Sequence, residues 1–197
     1  MTIAAPDDWA APTGYRSRSS ARRLPPPAGM SDLEQLLAYE QIRQLANRYA
    51  LAVNMRDLDA LVELFVEDVR ATEGRSGRDA LADVFRPHME SGAVDVLEVT
   101  THVINLADRD HATGTVYSRC EMGSRDRWAR QSIAYEDRYE RRDGLWYFVR
   151  RNHLLFYGLD EAERPLDQAP ANWPQSPVGL GTVPYDWPTW QAYRSPS

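Results

Sequence analysis

The sequence predicts an α+β fold in which three helices are followed by a curved, mostly antiparallel sheet that wraps around them and encloses a pocket. Three observations support this fold class. Apolar residues recur at helical spacing in the first part of the folded region and at alternating positions in the second. Twelve of the 13 prolines lie in residues 1–29 or 161–197, which leaves the region between them free to form helices and strands. The Asp143-Gly144 pair, between two alternating segments, is typical of a tight hairpin.

The same proline distribution divides the chain into three segments. Residues 1–29 are predicted to form an extended or disordered arm, and residues 30–160 to form the folded domain. The tail, residues 161–197, carries Trp and Tyr residues among its prolines. Because disordered tails are usually poor in aromatic residues, this tail is predicted to pack as an extended strap on its own domain or on a neighbour.

Local signals place the three helices. The S-x-x-E motif that begins at Ser31 is a capping box, and it predicts a helix over residues 32–55. Asp57 is positioned to cap a second, short helix. Ser76 repeats the capping pattern before a third helix, which is expected to end near Gly92.

Four strands are expected after the helices, because the apolar period changes from 3.6 to two. A meander of long antiparallel strands after a group of helices is an α+β arrangement. The predicted strands cover residues 94–106, 113–122, 131–141 and 145–157.

Composition and motifs exclude several classes of function. The formal net charge of −6 is opposite to the basic footprint of nucleic-acid-binding proteins. No apolar run reaches the ~18 residues of a membrane span and no signal peptide is recognised, so a cytoplasmic protein without a membrane partner is expected. All 23 basic residues are Arg, which excludes lysine Schiff-base chemistry. The one cysteine excludes an internal disulfide framework, and the lack of the corresponding motifs disfavours zinc ribbons, zincins, Rossmann cofactor sites and P-loops.

Four stretches of the sequence carry a family resemblance. They are RYALAVNMRDLDALVELFVEDV, GRDAL, TTHVINL and YEDRYERRDGLWYFVRR. In this order they resemble the nuclear transport factor 2-like superfamily, and within it the SnoaL-like and scytalone-dehydratase-like group, over about residues 32–157. The resemblance implies a cone-shaped α+β barrel with a mostly apolar pocket, often homodimeric through its sheet. Members include dehydratases, a dehydrochlorinase, isomerases and polyketide cyclases that need no cofactor, and also binding proteins and subunits.

The resemblance to the dehydratase and dehydrochlorinase branch also implies four catalytic positions. His102 stands at the position of a proton acceptor or carbonyl polariser, a role that suits the ordinary histidine pKa of ~6.5. Tyr49 and Arg151, or less favourably Arg150, stand at the positions of donors to a developing oxyanion. Asn54 replaces the aspartate that orients the histidine in that branch.

The asparagine at this position leaves the mechanism open. An asparagine can hydrogen-bond the imidazole ring but carries no charge to stabilise an imidazolium. One alternative is that Glu98, Glu121 or Asp137 replaces the missing carboxylate. Another is that His102 acts as a neutral hydrogen-bond donor, and the third is that the pocket only binds its ligand.

Further pocket residues are predicted from shared strand and helix faces. The expected substrate-binding residues are Tyr135, Asp137, His153, Tyr117 and Phe65. His88 and His111 are predicted to be surface residues, and Cys120 to be a small buried side chain. No close spacing of ligands supports a metal site.

Two functional hypotheses follow. The first is a cofactor-independent lyase or isomerase, with dehydratase- or cyclase-like acid–base chemistry, acting on a mid-sized apolar oxygenated ring compound such as a polyketide, terpenoid or steroid. The alternative is a non-catalytic small-molecule-binding protein or accessory subunit of the same fold, for example the small subunit of a ring-hydroxylating oxygenase. The expected partners are a small-molecule substrate and further copies of the chain, as a homodimer or higher homo-oligomer.

Overall fold

The predicted α+β architecture is confirmed in a computed structural model, which describes residues 24–72, 74–124, 126–172, 174–176 and 178–192. Most of the predicted arm, residues 1–23, lies outside the described residues. The elements are α1 (Asp32–Met55), α2 (Leu58–Glu63), β1 (Arg70–Thr72), β2 (Arg75–Ser76), α3 (Arg78–Glu90), β3 (Val94–Leu106), β4 (His111–Gly123), β5 (Trp128–Arg142), β6 (Leu145–Asp160), a 3₁₀ turn (Pro165–Asp167) and α4 (Pro188–Ala192).

The first two helices begin at the predicted caps. Ser31 accepts a hydrogen bond from the backbone N–H of Glu34, and the Glu34 carboxylate accepts one from the backbone N–H of Ser31. These bonds satisfy N–H groups that have no partner in the first turn of the helix. The Asp57 side chain accepts from the backbone N–H of Ala60 at 3.0 Å and starts α2. Arg56, between the two helices, adopts a left-handed conformation that ends α1.

The predicted cap of α3 is wrong. The N-cap is Gly77, with φ of 97°, and no side chain caps this helix. Ser76 instead pairs with Arg70 in a two-stranded sheet formed by β1 and β2, which the sequence analysis did not predict. A glycine is favoured where the chain leaves this small sheet, because other residues rarely adopt so positive a φ. The helix continues through Pro87 to Glu90, close to the predicted end.

The four long strands form one antiparallel sheet in the order β3-β4-β5-β6. The bounds of β3 agree with the prediction, and the other strands extend one to three residues beyond it. Asp143 and Gly144 adopt φ angles of 52° and 84°, so the β5–β6 hairpin turns at the predicted pair. Positive φ at both central residues matches the twist of the two strands.

The core lies between α1 and the concave face of the sheet. Ile42, Ala46, Phe65 and Phe148 are fully buried there. The Phe148 ring lies 5.1 Å from the Phe65 ring, and Phe148 also exchanges backbone hydrogen bonds with the segment after α2. These contacts fix β6, which carries residues of the site described below, against the helices.

The tail packs on its own domain. A second, smaller core cluster joins Val94 of β3 and Trp128 of β5 to Leu166 and Trp190 of the tail. The predicted tail residues Trp173 and Tyr193 lie outside the described residues. None of the described helices has the length and apolar character that a membrane span requires. The homo-oligomer stays a prediction.

Replacing Phe148 by Ala tests the proposed anchoring of β6. Truncating a fully buried phenylalanine is expected to lower the free energy of unfolding by about 3–5 kcal/mol, because a cavity remains where the ring packed. Urea denaturation of the two proteins measures the difference. Leu145→Ala, at an exposed position of the same strand, is the control and should change stability by less than about 0.5 kcal/mol. Equal effects of the two substitutions would contradict this account of the core.

Candidate active site

A cavity of about 240 Å³ lies between α1, α3 and the concave face of the sheet. Its walls are largely apolar. The apolar lining comes from both helices and from three strands: Val53, Val84, Phe85, Met89, Leu97, Met122 and Ile133. The polar lining residues are Tyr49, His88, Asp95, Cys120, Gln131, Tyr135, Arg151 and His153. An apolar chamber with a few convergent polar groups is the usual form of a small-molecule site.

One residue of the cavity lining, Arg151, belongs to a buried ion pair. Arg151 donates from Nε to Asp137 Oδ1 at 2.9 Å and from Nη2 to Asp137 Oδ2 at 2.8 Å. Both residues are almost completely buried. Burial alone would favour the neutral guanidine, but the Asp137 carboxylate and its hydrogen bonds raise the pKa of Arg151, so the guanidinium stays charged. Asp137 is therefore the counter-ion of Arg151 and does not line the cavity.

Aromatic rings surround the same guanidinium. The centroids of Tyr49, Tyr135 and Phe148 lie 4.2–4.4 Å from Arg151 Cζ. A cation held over aromatic faces is stabilised by the ring quadrupoles, and this interaction is strengthened by desolvation. Arg151 thus holds the two tyrosines, from α1 and β5, at the cavity wall.

The hydroxyls of these tyrosines are available to a ligand. Within the described part of the chain, no hydrogen bond engages the hydroxyl of Tyr49 or Tyr135. Burial raises the pKa of Tyr49 to about 12. Both phenols are therefore protonated donors at neutral pH.

His102 lies behind the cavity wall. Tyr139 donates its hydroxyl to Asp137 Oδ2 at 2.8 Å, because a carboxylate can only accept. The His102 Nε2 atom, 3.0 Å from the same hydroxyl oxygen, must then be the donor of the next bond. Gly114 makes room for this arrangement, since a Cβ there would come within 2.9 Å of the Tyr139 hydroxyl and 3.1 Å of His102 Nε2.

This environment makes His102 a poor base. Its Nδ1 atom is buried with no hydrogen-bond partner in the described structure, so a proton added there would have no acceptor. Burial lowers the pKa of His102 to about 4. His102 is therefore a neutral donor that completes a chain of hydrogen bonds through Tyr139 to Asp137, and it is not among the residues that line the cavity.

The predicted contact between Asn54 and His102 is not formed. Asn54 instead pairs with the backbone of Leu97: its Oδ1 accepts from the Leu97 N–H at 2.7 Å and its Nδ2 donates to the Leu97 carbonyl at 3.1 Å. Both bonds use the neutral amide, which offers a donor and an acceptor together. Asn54 therefore fastens the end of α1 to β3, and its predicted role as the orienter of His102 is corrected.

Other predicted residues divide between the cavity and its surroundings. Tyr49, Tyr135, Arg151 and His153 line the cavity, and burial lowers the pKa of His153. Phe65 is fully buried in the core, so it supports Tyr49 and cannot contact a ligand directly. Three further predictions are corrected, because these residues do not line the cavity: Tyr117, which packs on Phe156 on the other face of the sheet, and the carboxylates Glu98 and Glu121.

A His–Asp pair that sequence reasoning missed lies at the cavity mouth. His88, near the end of α3, places Nε2 2.8 Å from Oδ2 of Asp95, at the start of β3. The Asp95 side chain is buried, whereas 43% of the His88 side chain remains exposed. The hydrogen bond to Asp95 outweighs partial burial and raises the pKa of His88. The sequence did offer one signal of this pair, because Asp95 is a carboxylate at the start of a strand that is otherwise apolar there.

Comparison with models of protein families shows which family this chain belongs to. The model of the SnoaL-like domain matches residues 34–152, which is more than half of the chain. The chain belongs to the SnoaL-like domain family. The resemblance predicted from the four sequence stretches is thereby confirmed. None of the curated proteins gives a significant match.

Solved structures share the SnoaL-like fold. A hexachlorocyclohexane dehydrochlorinase, LinA-type3 from Novosphingobium barchaimii LL02, is 22% identical with a TM-score of 0.61, covering 68% of this chain and 97% of its own. A candidate scytalone dehydratase from Novosphingobium aromaticivorans DSM 12444 is 20% identical with a TM-score of 0.58, covering 68% and 94%. A Mycobacterium tuberculosis protein of unknown function is 22% identical with a TM-score of 0.56, covering 84% and 91%. At these identities the shared property is the fold.

The neutral state of His102 can be tested by stability against pH. Because its pKa in the folded protein, about 4, lies below the ordinary ~6.5, the unfolded chain binds a proton between these values that the folded chain does not. The free energy of unfolding should therefore fall as pH decreases from ~6.5 to ~4, by up to about 3 kcal/mol from this residue. Urea denaturation across this range should show a smaller decrease for His102→Gln. His111→Gln, at the start of β4, is the control, and an unchanged pH dependence in His102→Gln would contradict the assignment.

Proposed function

We propose that this SnoaL-like protein is a cofactor-independent lyase or isomerase that removes a proton next to the carbonyl group of a small, apolar, oxygenated ring compound. The observation that carries the proposal is the His88–Asp95 pair at the mouth of an otherwise apolar cavity. The family and the lyases among the structural neighbours support the reaction class. The proposal transfers the role of the base from His102 to His88.

His88 has the features of a general base. The Asp95 carboxylate can only accept, so it selects the tautomer of His88 with the proton on Nε2 and leaves a lone pair on Nδ1. It also stabilises the imidazolium that forms when Nδ1 takes a proton. Asp95 thus supplies, from β3, the charge that Asn54 lacks.

The tyrosines and Arg151 are suited to the negative charge that develops on the substrate. Proton removal beside a carbonyl moves the C–H electron pair toward the carbonyl oxygen. The hydroxyls of Tyr49 and Tyr135 can donate to that oxygen, and the Arg151 guanidinium lies against both rings. These donors are already in place before the substrate binds, so little reorganisation is needed.

The second half of the reaction determines the product. When a hydroxyl or halide is attached to the next carbon, the enolate electrons expel it. A halide leaves as the free anion, and the imidazolium then gives its proton to water. The imidazolium returns its proton to a departing hydroxide, and water is released. When no leaving group is present, the imidazolium returns the proton to another carbon, and the product is an isomer.

The cavity volume narrows the substrate class. About 240 Å³ is below the ~300–1,000 Å³ of pockets for drug-sized ligands. One- or two-ring ketones fit this space better than four-ring steroids. Within the substrates predicted from the sequence, the proposal therefore favours small aromatic polyketides and monocyclic terpenoids.

Hydrogen–deuterium exchange tests the proton-transfer step. Wild-type protein in D₂O should exchange the α-protons of a one- or two-ring ketone, with 1-tetralone as the probe, as followed by mass spectrometry. His88→Gln should lower the exchange rate by about 10²–10⁴-fold, the usual contribution of a general base. His102→Gln, folded at the same pH, should retain most of the rate. Loss of exchange in His102→Gln but not in His88→Gln would overturn the assignment, and ketone binding without exchange by the wild type would favour a binding protein.

The pH dependence separates the two histidines. A base must be unprotonated, so exchange by His88 should be lost as pH falls through a value above the ordinary ~6.5. A reaction at His102 would instead persist to about pH 4. Asp95→Asn should shift the midpoint of the rate profile downward and lower the plateau rate, because the carboxylate no longer stabilises the imidazolium. A midpoint near pH 4 in the wild type would contradict the proposal.

A further inference from the structure

The tail after the family domain packs against Val94, the residue that precedes Asp95. We use "strap" for the described residues of the tail, 161–172, 174–176 and 178–192. They lie beyond the range 34–152 that matches the family model. Within the strap, α4 places Thr189 and Trp190 against the domain, and Trp190 is buried. No described strap residue lines the cavity, so a role for the strap at the site must act through other residues.

The strap first contacts the end of α1. Thr189 donates its hydroxyl to the Met55 carbonyl at 2.8 Å. This bond satisfies a carbonyl of the last helical turn. The Trp190 ring stacks on Arg56, the residue after Met55, and Arg56 Cζ lies 4.7 Å from the ring centroid. The Arg56 side chain is almost completely buried, so the stacked geometry is held tightly.

Arg56 passes the contact on to the start of β3. Its Nη2 donates to the Ala93 carbonyl. Val94, the next residue, packs directly in the cluster that contains Trp190 and Trp128. Asp95 follows, and its buried carboxylate accepts from His88. The strap therefore contacts Val94 directly and acts on Ala93 only through Arg56.

The segment between His88 and Asp95 needs such support. Gly92 has φ of 74°, and Gly77 at the other end of α3 has φ of 97°. Helix α3 also contains Pro87, which lacks the N–H of a regular helical bond. Glycine adopts such φ values readily, so the position of His88 relative to Asp95 depends on how firmly the start of β3 is held.

We infer that the strap is a positioning element for the His88–Asp95 pair, acting from Trp190 and Thr189 through Arg56 and Val94. The inference rests on the proposed function only for the catalytic importance of the pair. The contacts of Trp190 and Thr189 with the domain do not depend on whether the protein is an enzyme. The charged or titratable groups around His88 are Asp95, Arg56 and, in the cavity lining, Tyr49, Tyr135, Cys120, Arg151 and His153.

The test is the titration of His88 in the full chain, followed by NMR of proteins with ¹³C-labelled histidine rings. The four histidines can be assigned with single His→Gln variants. In the wild type, His88 should titrate above the ordinary ~6.5. In Trp190→Ala its midpoint should shift down toward ~6.5, because the bond to Asp95 is weakened. Trp187→Ala is the matched control, since it removes an indole from the same cluster but not the ring on Arg56.

Two further variants keep the test decisive. Trp190→Phe retains an aromatic face over Arg56 and should restore most of the wild-type midpoint. Thr189→Val removes only the hydroxyl and should lower the midpoint by less than Trp190→Ala, and it replaces that variant if the truncated protein fails to fold. A wild-type midpoint in every folded variant of Trp190 and Thr189, or an equal shift in Trp187→Ala, would overturn the inference.

The proposed function is measured separately in the same samples. Exchange of 1-tetralone should decrease in parallel with the His88 midpoint. If the His88 midpoint shifts in Trp190→Ala but the wild type does not exchange 1-tetralone, the strap remains a positioning element and the proposed enzymatic function is refuted. If the wild type exchanges 1-tetralone but the His88 midpoint is unshifted in Trp190→Ala, the proposed function is supported and the role of the strap is refuted.

Discussion

The buried pairing of Arg151 with Asp137 is the interaction on which the rest of the site depends. The two residues face each other across β5 and β6, and their register places them directly opposite. Removing one partner of such a pair leaves an uncompensated buried charge, which typically costs about 3–5 kcal/mol. The guanidinium also carries Tyr49 and Tyr135 on its faces, and the carboxylate carries Tyr139. One ion pair thus sets the positions of side chains from α1 and β5.

Much of the fold could be predicted because its signals are local. The capping box at Ser31, the cap at Asp57 and the Asp143-Gly144 turn depend on residues close together in sequence, and each was found where expected. The β1–β2 hairpin could not be predicted, because two strands of three and two residues carry no period. Gly77 replaced Ser76 as a cap because the backbone there is set by pairing with β1, a tertiary effect that capping rules do not contain.

The site was predicted only in part, for a related physical reason. Alternation placed Arg151 and His153 on one face of β6 but could not say which face is concave, and in the structure both line the cavity with Tyr135. The partners of His102 and Asn54 could not be deduced, since each is bound to a residue distant in sequence. The family resemblance implied a contact between the two residues. In the structure, His102 Nε2 bonds to Tyr139, and the Asn54 amide bonds to the Leu97 backbone. His88 was classed with the surface because its exposure is real, and only the fold brings Asp95 beneath it.

Charge pairing inside the cavity also bears on which ligands it admits. The guanidinium of Arg151 has the buried carboxylate of Asp137 as its partner, and His88, which carries a charge only when protonated, has Asp95. An anionic ligand would lose its hydration on entering and would find no uncompensated positive charge in return. A cationic ligand would meet the same obstacle, because both carboxylates are already engaged. We therefore expect carboxylated or phosphorylated forms of an otherwise suitable compound to bind more weakly than the uncharged form.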